Sequence, residues 1–77
     1  MTETEWMDIF GDNLNSIMQE RGYTQGDLAD ETGLDQTTIS RYINKRCMPT
    51  MRAVVNLAYT LDCDISELVD FGDRIET

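Results

Sequence analysis

Residues 24–50 read TQGDLADETGLDQTTISRYINKRCMPT, two short helical patterns that meet at Gly33. Thr24 stands where a hydroxyl caps the first pattern, with Asp27 three residues on at the positive pole of the helix dipole. Leu28 and Ala29 are its expected buried pair, and Gly33 ends it after only about eight residues. A helix of two turns does not stand alone in water, so neighbouring elements have to hold it. Leu34 then reads as an apolar plug and Asp35 as an N-cap, and a second helix runs to about Asn44. Pro49 with Thr50 gives the next break and cap.

The flanking sequence supplies those neighbours. In EWMDIFGDNLNSIMQERG, Trp6, Phe10, Leu14, Ile17 and Met18 recur at helical spacing on one stripe, and Gly22 provides the stop. Gly11 interrupts the polar side of this helix at about 1 kcal/mol relative to Ala, so the pattern is firmest from Asp12 onward. Downstream, Met51, Val54, Val55, Leu57, Ala58 and Leu61 make a fourth, amphipathic helix. DCDISELVDF adds a short fifth with Ile65 and Leu68 turned inward. No stretch sustains the period-2 alternation of a strand, and there is no repeat or low-complexity linker. The expected fold is an all-α, compact five-helix bundle, one domain over residues 1–77.

Composition narrows the setting. Seventy-seven residues give one small core, and the 40% hydrophobic content is too high for a disordered chain. No apolar run approaches the ~20 residues needed to cross a bilayer, and the acidic start MTETEWMD lacks the basic region of a secretory signal, so the expected location is cytoplasmic with no membrane contact. With no histidine, Cys47 and Cys63 cannot complete a four-ligand zinc site. They read as a loop thiol and a small core residue, and the methionines as core and gap filling. No metal or other cofactor is expected. Catalysis is not expected either: Ser40 has no basic partner, and the carboxylates read as caps and solvated faces.

Charge is unevenly spread. Fifteen acids oppose six bases, for a formal net charge of −9, yet Gln36 to Leu61 contains no Asp or Glu and holds four of the six bases, Arg41, Lys45, Arg46 and Arg52. Projected at ~100° per residue, the helix after Gly33 puts Ile39, Tyr42 and Ile43 on one side and Thr37, Ser40, Arg41 and Asn44 on the other, flanked by Gln36. The second face offers hydrogen-bonding groups without a carboxylate. Gln pairs with adenine, Arg with guanine, and Thr presents a methyl to thymine and a hydroxyl to either edge. A surface that meets a polyanion has to exclude acids, whereas the rest of the molecule is free to be acidic. Thr38 points sideways and reads as plain surface.

Gln25, Ala29, Gly33, Ile39 and Tyr42 stand at the spacing of the helix-turn-helix of phage repressors and Cro-like regulators, the XRE-like, lambda-repressor-like family. From about Phe10 to Leu68 the chain resembles the family pattern TQ-x-x-LA…TIS-R…N-x-x-x-x-PS…L-x-x-LA-x-L, with the helix-turn-helix at about 24–44. Each anchor has a mechanical reason. Ala29 is small where two helices cross, Gly33 takes a turn conformation that a side chain resists, and Ile39 pins the second helix to the core. The resemblance implies that Gln36, Thr37, Ser40 and Arg41 meet base edges and that Gln25, Asn44, Lys45 and Arg46 meet phosphates. It implies a double-stranded DNA operator read in the major groove by a homodimer, built through the last helices or the Trp6 region, and a regulator of repressor type. Two positions depart from the pattern: Lys45 stands where the family often has Gly, and Ile43 where many relatives carry Glu. A helix-turn-helix scaffold also serves as a protein-interaction module, an antitoxin bound to its toxin being one form, and the acid-free face favours DNA over that alternative.

Overall fold

The computed structural model describes residues 2–70. Phe71, the last letter of the segment read as a final helix, and both ends of the expected 1–77 domain lie outside the described residues. Among those described there are five helices in the order expected: α1 Glu3–Arg21, α2 Gln25–Thr32, α3 Gln36–Ile43, α4 Met51–Leu61 and α5 Ile65–Leu68.

Helix α1 begins well before Asp12 because its start is doubly capped. The Thr2 hydroxyl accepts from the Glu5 N–H at 3.2 Å, and the Glu5 carboxylate accepts from the Thr2 N–H at 3.3 Å. It ends at Gly22, φ 74°, where the Tyr23 N–H reaches the Met18 carbonyl at 2.9 Å. Thr24 and Asp27 form the same reciprocal box at the head of α2, and the Thr50 hydroxyl accepts from the Ala53 N–H at the head of α4. Asp35 occupies the N-cap position of α3 but makes no side-chain cap bond, so that expectation holds for position and not for chemistry.

The core is shared by all five helices. Phe10, Leu14, Leu28, Ile39, Leu57, Leu61 and Leu68 are fully buried at its centre, one or more from each element. Helix α3 is seated between α1 and α2, α4 packs on α2, and α5 closes against α1 and α4. Polar ties fix these contacts from outside the core. The Asn56 amide donates to the Thr32 carbonyl at 2.8 Å, joining α4 to the end of α2. Arg21 Nε donates to the Leu61 carbonyl at 3.1 Å, and Asn13 Nδ2 to the Leu68 carbonyl at 3.0 Å, where each carbonyl ends a helix short of partners.

Several sequence expectations need correction. Gly11 is buried, on the side of α1 that faces α3, and does not interrupt a polar face. It stands three residues before Leu14 and therefore on the same stripe. Ala29 is half-buried where Leu28 is fully buried. Ile65 is 39% exposed, because a one-turn helix turns only one of its two apolar residues to the core, and Leu68 takes that place. Met18 is buried, but Met48 and Met51 lie on the surface. Cys47 and Cys63 are half-buried free thiols packed against the core, and burial pushes the Cys63 thiol pKa up, with the nearby Glu67 charge adding to the effect. No described helix is long and apolar enough to cross a membrane.

Candidate nucleic-acid interface

The α2–α3 turn is set by Gly33, φ 78°, whose N–H reaches the Ala29 carbonyl at 2.9 Å. Thr32 locks it further. Its hydroxyl donates to the Leu28 carbonyl at 2.7 Å and accepts from the Leu34 N–H at 3.2 Å, spanning the bend with one side chain. Nothing in the sequence pattern singled out Thr32, although a hydroxyl residue just before a turn glycine is the available signal.

On the inner side of α3, Ile39 and Tyr42 are buried, and the Tyr42 ring stands edge-on to Phe10 with centroids 5.7 Å apart and planes at 84°. Burial also raises the Tyr42 pKa. On the outer side, Gln36, Thr37, Arg41 and Asn44 are exposed and Ser40 is half-buried, the division that the helical projection gives. Thr38 is half-buried between the two faces.

Four of the expected residues come together from two helices. Gln25, at the first turn of α2, lines one cleft with Gln36, Thr37 and Ser40 of α3. A Cβ at Gly26 would sit 3.8 Å from Gln36 Oε1, an ordinary contact, so the cleft does not depend on glycine at that position. Asn44 turns back along its own helix and donates from Nδ2 to Ser40 Oγ at 3.1 Å. Arg41 and Arg46 are exposed at the far end of the same helix.

The end of α3 is a Schellman turn. The Lys45 N–H bonds to the Tyr42 carbonyl at 3.2 Å and the Arg46 N–H to the Arg41 carbonyl at 2.8 Å, which places Lys45 at φ 64° in the left-handed region. Lys there bears a strain that Gly would avoid. Its side chain crosses α1 over Gly11 and forms an ion pair with Asp12, Nζ to Oδ1 at 2.9 Å. That contact raises the Lys45 pKa, the hydrogen bond to Asp12 first and its charge second. Asp12 escaped sequence reasoning because the pairing joins segments 33 residues apart. So did the role of Gly11.

Residues 13–73 match the model of the Cro/C1-type HTH DNA-binding domain. The chain belongs to this family. The family is defined by DNA binding and not by catalysis, in agreement with the reading of a non-enzymatic chain. Two solved structures share its fold. One is a helix-turn-helix family transcriptional regulator from Vibrio cholerae, with TM-score 0.83 and 18% identity over 87% of this chain and 38% of the other. The second is a hypothetical transcription factor, NHTF, from Neisseria, with TM-score 0.81 and 23% identity over 90% of this chain and 79% of the other. The present chain thus spans well under half the length of the Vibrio protein. No curated protein sequence matches the chain significantly.

Proposed function

We propose that this member of the Cro/C1-type family is a sequence-specific transcriptional repressor that lays α3 in the major groove of double-stranded DNA as a homodimer. One observation carries the reading: Gln25, Gln36, Thr37 and Ser40 share a single cleft beside exposed Arg41, with no carboxylate lining the cleft and none within α3, in a chain of net charge −9. Gln36, Thr37, Ser40 and Arg41 read base edges, while Gln25, Asn44, Lys45 and Arg46 hold the backbone. Two or three cations per subunit give a dimer a slope of log K against log salt of roughly −4 to −6. The acids elsewhere repel DNA in any other orientation, which lowers non-specific binding.

Support for two-fold assembly comes from α4. Met51, Val55 and Tyr59, at successive turns on one exposed face, are 71%, 46% and 87% exposed, with Arg52 and Asn56 beside them. This apolar stripe lies in the acid-free part of the chain. Two copies, each strongly acidic, meet with least repulsion there, and antiparallel pairing sets Tyr59 of one against Met51 of the other around Val55. The same stripe also suits a different protein, such as a toxin held by an antitoxin, and this is the second reading.

Selection of sites from random duplex DNA with the purified chain tests both. Enrichment of a pseudo-palindrome with half-sites about 34 Å apart supports the dimeric reader. Failure to enrich any duplex removes the DNA reading and leaves the protein-binding one.

A further inference from the structure

We infer that Asp12 holds Lys45 as an intramolecular stand-in for a DNA phosphate, so that this ion pair limits how much backbone affinity the interface delivers. The inference rests on the DNA-binding reading above.

The geometry makes the contact a built one. Lys45 is pinned in a left-handed conformation by the two hydrogen bonds of the Schellman turn, so its Cα–Cβ bond has a fixed direction. Its Cγ lies 3.2 Å from where a Gly11 Cβ would stand, so glycine at that position gives the aliphatic stem room to lie across α1 without shifting. The stem ends at Asp12, 2.9 Å away, and Asp8 one turn earlier adds a second negative charge to the field around the ammonium. An oxygen of a carboxylate at this distance offers Lys45 what a phosphate oxygen offers, a single anionic acceptor.

The pair is also open to exchange. The two side chains keep 37% and 65% of their exposure, and an ion pair in that setting contributes little because water screens it. A duplex phosphate therefore competes for Lys45 on nearly equal terms. When Lys45 transfers, Asp12 is left uncompensated beside a polyanion and takes up a cation from solution. The counterion freed from DNA is then offset by one recaptured at Asp12, so Lys45 adds almost nothing to the net salt dependence and the dimer slope sits at roughly −4, the end of the range above that Arg41 and Arg46 alone supply. The domain thereby holds back one backbone contact per subunit, which lowers affinity for every duplex alike and leaves discrimination between sites to the base contacts.

The test compares wild type, Asp12→Asn, Lys45→Met, the double variant and one control on the selected operator and on an unrelated duplex, by fluorescence anisotropy over a salt series. Glu20→Gln, on the exposed side of α1 and about 12 Å further along the helix at 1.5 Å per residue, removes the same charge remotely. Circular dichroism establishes that each is folded. Asp12→Asn is expected to tighten binding roughly two- to fivefold per bound subunit, on both duplexes. It is also expected to steepen the salt slope by about 0.9 per subunit, with neither change appearing in the Lys45→Met background. An equal gain from Glu20→Gln, a gain that survives Lys45→Met, or an unaltered slope overturns the inference while leaving the DNA reading in place. Absence of duplex binding by the wild type overturns both.

Discussion

Gly11 of α1 and the carbonyl of Tyr42 in α3 approach so closely that a Cβ on Gly11 would lie 2.6 Å from the oxygen. Helix propensity alone favours Gly11→Ala by about 1 kcal/mol. The packing reverses that sign, because the obstructing atom is backbone at the end of a helix and cannot swing aside. We expect Gly11→Ala to lower unfolding free energy by about 1–3 kcal/mol in urea. Gly26→Ala, where the nearest atoms stand at 3.8 Å, is expected to leave stability unchanged or raise it by about 0.5 kcal/mol. Equal shifts in the two variants would show that the α1–α3 crossing is looser than described.

Thr32→Val keeps the shape of the side chain and removes the hydroxyl that bridges Leu28 and Leu34. A loss of about 1–2 kcal/mol is expected in denaturant melts, since one carbonyl and one N–H lose their shared partner. Thr37→Val, on the exposed face of α3, is expected to fall within about 0.5 kcal/mol of wild type. The contrast separates the residue that shapes the turn from one assigned to DNA.

Arg41 and Arg46 stand five residues apart at the same end of α3, and their assigned tasks differ. Arg41→Ala is expected to cost about 1–3 kcal/mol on the selected site and to relax preference at one base position. Arg46→Ala is expected to weaken all sequences alike and to flatten the salt slope by about 1 per subunit. Competition binding against single-position operator variants distinguishes the two; matching, sequence-independent losses would refute the assignment.

Tyr59→Glu places a carboxylate in the exposed stripe of α4 and leaves the core untouched. Sedimentation with a two-half-site duplex is expected to show the two-copy complex replaced by single occupancy, with affinity for an isolated half-site within about threefold of wild type. Tyr59→Phe is expected to preserve the two-copy complex. Retention of that complex by Tyr59→Glu would move the subunit contact away from α4.

Much of this was legible in the sequence because it rests on local chemistry. The caps Thr24 and Thr50 and the stops Gly22 and Gly33 mark helix ends within a residue, and period alone divides α3 into Ile39 and Tyr42 on one side and Gln36, Thr37 and Arg41 on the other. What escaped depends on elements that approach across the fold. Gly11 reads as a flaw in a helix until α3 arrives beside it. Lys45 reads as a free cation until Asp12 is seen beneath it. Ile65 reads as core until a one-turn helix has to choose between its two apolar residues.

The buried and the exposed residues of α3 form two lists with no member in common. Ile39 and Tyr42 hold the helix in place; Gln36, Thr37 and Arg41 are exposed. Substitutions at exposed positions of this kind shift stability by only about 0.5 kcal/mol, well inside the margin of a small domain. On the base-reading assignment proposed above, the target sequence is free to drift or be redesigned while the scaffold stays fixed. Descendants of this chain could acquire new operators one side chain at a time without passing through an unfolded ancestor.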